Sequence, residues 1–295
     1  MARILAVSPH LDDAVLSYGG QLAMLASAGH QVVVYTVFAG TPSPPYSPLA
    51  AAFHGTWELT GDPMAPRRAE DQRALSVLGV TSVHGRFLDA VYRRDERGGW
   101  LIQDMQPTEF QGEEPHLLAD IAATIENFIR EQRPDQVVTC AAIGAHVDHR
   151  RARDAAVRAA VRTGAQLKLW TDFPYIIWEP DVVPPLPGYV SLADPVAEPV
   201  TVAGLRTWAA AYRCYASQLT MLEEHGPLDK WLTVYCKANA SRFGVTGAYG
   251  VVREVRVRSE AAGQWALQLS ADSAESDPLT TIPNVVDPPA ATEPL

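Results

Sequence analysis

What most constrains this chain is the order of apolar patterns in its first 38 residues. Residues 4–7 form an unbroken apolar run, which suits a strand buried on both faces. From 14 to 28, Val15, Leu16, Leu22 and Leu25 recur at helical spacing, and Gly29 ends the helix. Residues 31–38, Gln-Val-Val-Val-Tyr-Thr-Val-Phe, read as a second buried strand. Strand, helix and strand in so short a stretch make a βαβ unit, whose sheet is parallel. The pattern then repeats, with helices predicted over 66–79, 117–133 and 151–163 and strands over 136–140 and 166–170. This alternation predicts an α/β fold, a doubly wound, mostly parallel Rossmann-like sheet with helices on both faces.

Two long polar stretches, 40–63 and 90–114, interrupt the alternation. Loops of that length are walls or lids of a site, or else disordered. Beyond Pro180 the texture changes: a helix is predicted over 204–224, then short strands near 251–257 and 265–269, a small C-terminal α+β elaboration. The expected organisation is a main domain over 1–245, strands packed on it over 246–270, and a disordered Pro-, Ser- and acid-rich tail over 271–295.

Hydrophobic residues make up 47% of the 295, enough for a well-buried core. A net charge of −10, from 24 basic and 34 acidic side chains, leaves no basic stripe and argues against a nucleic-acid partner. Cys140, Cys214 and Cys236 lie far apart without a Cys-x-x-Cys pair, so free thiols in a reducing compartment are expected. The opening apolar run turns polar at Ser8, too short for a signal peptide or a membrane span, and the expected location is cytoplasmic.

Two clusters carry chemistry. Ser8-Pro-His10-Leu11-Asp12-Asp13 follows the first strand and opens the first helix, at the strand's carboxyl end, where α/β sheets bind ligands. His10 and Asp13 can converge on one point there, with Asp12 beside it. The same Asp-Asp pair would also serve as a plain helix N-cap. Gly144-Ala-His146-Val147-Asp148-His149 follows the strand at 136–140 and sits at the same edge. Imidazole is the commonest metal ligand, and a carboxylate often orients it through its other nitrogen. Jointly the clusters supply two histidines and one carboxylate for a metal, with groups left over for acid and base work.

These motifs, Pro9-His-x-Asp-Asp13 and His146-x-Asp-His149, resemble those of the PIG-L/LmbE-like family of N-deacetylases. Weaker echoes are Arg68-Ala-Glu70 with Leu-Gly-Val at 78–80, Phe87-Leu-Asp89, Asp172-Phe-Pro-Tyr175 and Tyr215-Ala-Ser-Gln218, so the resemblance runs from about residue 2 to about 245. It implies zinc held by His10, Asp13 and His149, and Asp12 as general base for the attacking water. It further implies that His146 stabilises the oxyanion or protonates the leaving amine, with Asp148 holding its ring, and that Arg68 and Asp89 face the substrate. The implied substrate is a small N-acetylated, amino-sugar-type conjugate. The chain departs from the family at Leu11 and Val147, where proline is usual, and at Gly144, where some members carry tyrosine.

The chemistry suits the groups. A divalent ion lowers the pKa of its water from about 15.7 to about 7, which is on the order of 12 kcal/mol. A positioned base alone gives about 3–5 kcal/mol. Two histidines and a carboxylate form a catalytic zinc pattern, and the same set also accepts Fe2+. A nucleotide-binding Rossmann enzyme would need Gly-x-Gly-x-x-Gly where Ser-Pro-His-Leu-Asp-Asp stands. A non-catalytic protein on the same fold is the other alternative, against which stand the intact Asp12 and His146. Trp57 and Trp100, in the long stretches, could wall a sugar site, whereas Trp170 and Trp178 read as core.

Overall fold

The parallel sheet follows from strands whose two faces are both covered. In the computed structural model, which describes residues 1–56, 61–102, 114–224 and 226–258, β1 (Arg3–Ser8) sends Ile4 and Ala6 into one core and Leu5 and Val7 into the other. An unbroken apolar run is what such a strand needs. β2 (Gln31–Thr36), β3 (Thr81–His84), β4 (Gln136–Cys140) and β5 (Leu167–Trp170) join β1 in parallel in the order β3-β2-β1-β4-β5. The chain winds outward from β1 through β2 to β3 and then returns to the other side of β1 with β4. The crevice at the carboxyl ends of β1 and β4 is therefore the topological switch point, where doubly wound folds bind ligands.

α1 (Asp13–Ser27) leaves β1, and α2 (Pro48–Thr56) and α3 (Met64–Leu78) lie between β2 and β3. α4 (Pro115–Gln132) precedes β4, and α5 (Val147–Thr163) follows it. α4 and α5 cover one face through Ile121, Ile125, Phe128, Ala152 and Ala156, while α1 and α3 cover the other through Leu16, Leu22, Leu75 and Leu78. Helix α2 lies inside a stretch that the sequence suggests is a loop. It starts on Pro48, and proline with its fixed φ suits a first helical position.

The remaining elements are α6 (Tyr175–Trp178), β6 (Val190–Leu192), β7 (Val196–Val200), α7 (Val202–Tyr212), α8 (Ala216–Leu222), α9 (Leu228–Arg242) and β8 (Ala248–Val257). β8 extends the sheet in the antiparallel sense, pairing with β5 and also with β6 and β7. The helix expected over 204–224 is in fact two, α7 and α8. They separate at Tyr215, whose hydroxyl donates to Asp71 at 2.7 Å, while Ser217 donates from its amide and hydroxyl to Glu70 at 2.9 and 2.6 Å. These bonds to α3 outweigh local helical continuity. Trp208 of α7 lies flat on Gly19 and Gly20 of α1, where an added Cβ would come within 2.6 Å of the indole. Among the described residues no helix is long and apolar enough to cross a membrane. The expected strand at 265–269, the tail over 271–295 and Trp57 lie outside the described residues.

Candidate metal centre

The first turn is fixed by its own side chains. The Ser8 hydroxyl donates to the carbonyl of His10 at 2.7 Å and accepts the amide of Ala14 at 3.0 Å. Asp13 then stands in the first turn of α1, where the helix dipole favours a carboxylate, and its Oδ2 accepts the amide of His10 at 2.8 Å. Leu11, one of the departures from the family pattern, points away into an apolar cluster with Met64 and Val91.

The second turn is strained. Ala142 and Ala145 have φ of 64° and 55°, beside Gly144 at 86°. Left-handed non-glycine residues cost on the order of 1–3 kcal/mol each and persist only where the surroundings impose them. Here Asp172 imposes them by accepting the amides of Ala141 and Ile143, and Val182 by accepting that of Gly144. A Cβ on Gly144 would lie 2.9 Å from Cδ1 of Tyr175, so the ring of Tyr175 fills the space a larger residue would need. That ring also stands edge-on to His149, with centroids 5.5 Å apart.

The two turns meet. Oδ2 of Asp13 lies 3.3 Å from Nδ1 of His10 and 3.2 Å from Nε2 of His149. The nearest nitrogens of His10, His146 and His149 fall within 4.8 Å of one another. Nε2 of His149 is buried and, despite its closeness to Asp13, makes no hydrogen bond among the described residues. A tetrahedral zinc with arms of about 2.0–2.1 Å separates its ligands by about 3.3–3.4 Å. The two spacings to Asp13 match that edge, and the unbonded buried nitrogen is what a ligand looks like, so Asp13 and its flanking histidines fit a divalent ion.

Asp12 stands beside this set with its carboxylate 3.9 Å from the guanidinium of Arg67. Burial, reinforced by the charge of Asp13, pushes its carboxyl up to about 6 against the pull of Arg67. Burial would also raise Asp13, but the imidazoles of His149 and His10 hold it well below the usual carboxylate range. His146 caps α5, its Nδ1 accepting the amide of Asp148 at 3.2 Å. Burial and then the neighbouring His10 push His146 down to about 4, so its neutral ring carries the proton on Nε2.

Several expectations change. Asp148 reaches the ring of His146 through its amide and not through its carboxylate. Its fully buried carboxylate faces Nε2 of His10 at 3.0 Å, the amide of Ala90 at 2.8 Å and Arg93 at 2.6 Å. The reason is direction: with its amide on His146, the Asp148 side chain projects toward His10 and Arg93. Burial alone would raise Asp148, yet Arg93 and His10 keep it well below the usual range. Arg68 spends its donors on Ala39, Thr41 and Asp62, and the arginine that approaches Asp12 is Arg67. Sequence reading missed Arg67, which adjoins Arg68 and carries no signal to separate them. Asp89 is placed at the rim, 3.6 Å from Nε2 of His10, with its Oδ1 capping the turn Ala90–Tyr92. Trp170 is core as expected, stacked on Tyr18, while the ring of Trp100 is covered by Arg94 at 3.7 Å.

Fold and site together define a class: a doubly wound α/β domain with a histidine–carboxylate centre at its switch point. The family profile of GlcNAc-PI de-N-acetylase, PIG-L, matches residues 5–160, and the chain belongs to that family. It is 32% identical over 190 residues to 2'-N-acetylparomamine deacetylase of Niallia circulans, covering 57% of this chain and 66% of that protein. It is 34% identical over 172 residues to 1D-myo-inositol 2-acetamido-2-deoxy-alpha-D-glucopyranoside deacetylase of Kineococcus radiotolerans, covering 54% of this chain and 45% of that protein. The match thus spans between about half and two thirds of these relatives' length. The crystal structure of the zinc-inhibited form of teicoplanin deacetylase superposes with a TM-score of 0.80 at 36% identity, over 88% of this chain and 99% of that one.

Proposed function

We propose that this chain hydrolyses the N-acetyl amide of a small amino-sugar-type conjugate, releasing a free amine and acetate. The observation that carries the reading is that Oδ2 of Asp13 lies 3.3 Å from Nδ1 of His10 and 3.2 Å from Nε2 of His149, with Asp12 close enough to feel the charges of Asp13 and His10. The relatives, each named for removal of an acetyl group or as a deacetylase, support it.

In this reading His10, Asp13 and His149 hold a divalent ion, zinc before ferrous iron. The ion, when bound, supplies Lewis acidity toward water and the amide carbonyl. Asp12 takes the proton of the attacking water as that oxygen bonds to the acyl carbon. Its raised affinity for protons lets it pass that proton to the amine nitrogen as the C–N bond breaks, so water is divided between the two products. His146, neutral with its proton on Nε2, donates to the oxygen of the tetrahedral intermediate. Asp89, partly exposed beside His10, borders the acceptor side, while the buried Arg67 backs Asp12. The free thiols of Cys140, Cys214 and Cys236 accord with a cytoplasmic setting.

The test pairs metal analysis with amine-release assays on a panel of N-acetylated sugars, from N-acetylglucosaminyl-inositol to N-acetyl aminoglycosides. Stoichiometric zinc and release of a primary amine from at least one member are expected. Protein that holds zinc yet leaves the whole panel intact would refute deacetylation of amino sugars.

A further inference from the structure

The Asp172-Phe-Pro-Tyr175 motif has no part in the reaction just described, yet Asp172 is 1% exposed and lies directly behind the centre. Its two oxygens do different things. Oδ2 accepts the amides of Ala141 and Ile143 at 2.9 and 3.1 Å. Oδ1 has no hydrogen bond among the described residues, and it lies 3.4 Å from Nδ1 of His149, a nitrogen that is equally buried and equally unbonded. A buried polar atom left unsatisfied loses its hydration with nothing in return. Facing one another, these two atoms have a common remedy, a proton on Nδ1 shared with Oδ1.

We infer that Asp172 is the positioning residue for His149: its Oδ1 accepts a hydrogen bond from Nδ1–H, which keeps the proton on that nitrogen and the Nε2 lone pair turned toward the ion. The inference rests on the proposed role of His149 as a metal ligand. It gains weight from the contrast with His10, whose Nε2 faces Asp148 at 3.0 Å while its Nδ1 faces Asp13 at 3.3 Å. The two imidazoles present different nitrogens to the centre, and a different buried carboxylate stands behind each. The thiol of Cys140, also close to His149, is directed instead to the backbone carbonyl of that residue.

Asp172→Asn separates this role from simple packing. The amide oxygen can still accept from Ala141 and Ile143, but its NH2 group would face Nδ1 and drive the proton to Nε2, the wrong tautomer for binding. Zinc affinity of the full chain, measured by competition with a chromophoric chelator, should weaken about 10–100-fold. The melting temperature of the metal-free protein should stay unchanged. In the zinc-loaded parent, long-range 1H–15N correlation should find His149 protonated at Nδ1. Equal zinc affinity in a folded variant, or a His149 proton on Nε2 in the loaded parent, would overturn the inference. The parent spectrum decides even where the variant does not fold. A parent that takes up no zinc refutes the metal-centre reading itself, a separate outcome.

Discussion

Ser8 ties the first histidine turn together from within, whereas the second turn is held in shape by Asp172 and Val182, each far along the chain. The first contains no left-handed residue, and the second contains two alanines and a glycine in that region. A site built from one relaxed and one strained half concentrates its stored strain on the side that carries His146 and His149. On the proposed reading, both halves are needed to hold the ion.

The largest effect tests that last statement. His149→Ala or Asp13→Ala should abolish stoichiometric zinc and lower turnover by at least about 10³-fold, because the Lewis acid goes with the ligand. Retention of one zinc per chain by His149→Ala would mean that the first turn suffices alone. Asp12→Asn comes next, with zinc retained and turnover down about 10²–10⁴-fold, the usual worth of a positioned base. Full turnover in that variant would remove Asp12 from the chemistry. Ser8→Ala should destabilise the fold by about 1–3 kcal/mol in denaturant titrations, since it deletes a buried hydroxyl that serves both the carbonyl of His10 and the amide of Ala14. A null result there would show that the first turn does not depend on its internal brace. The smallest effect has the opposite sign. Ala145→Gly should stabilise by up to about 1 kcal/mol, because glycine adopts a φ of 55° without the Cβ penalty. Loss of stability would mean that the second turn is not strained where the backbone angles put it.

The same contrast explains what was legible in the sequence. Both turns announce themselves, because each sets histidine and aspartate within a few positions of one another at a strand's carboxyl end. The parallel strands read equally well, since their two-faced burial leaves continuous apolar runs. What escapes is whatever depends on distant partners. The break at Tyr215 is decided by Asp71, the helix over 48–56 hides in a proline-rich stretch, and β8 pairs with β5 through residues as far apart as Lys168 and Glu254. The role of Asp148 was misjudged for a related reason. Its neighbour in sequence is His146, but its neighbours in space are His10 and Arg93. Residue spacing cannot report which way a side chain turns at the head of a helix.

Helix α1 bears Asp13 at its front and a pair of glycines, Gly19 and Gly20, in its middle. Each glycine weakens a helix by about 0.8–1.0 kcal/mol relative to alanine, so α1 is a poor helix by its own lights. Trp208 compensates by lying against the bare backbone and donating its indole N–H to the carbonyl of Val15. The aspartate that opens α1 is therefore steadied by an aromatic wedge nearly two hundred positions downstream. Undocking of α7 would strip α1 of this support, which makes a helix from the second half of the chain a remote guardian of the amino-terminal turn.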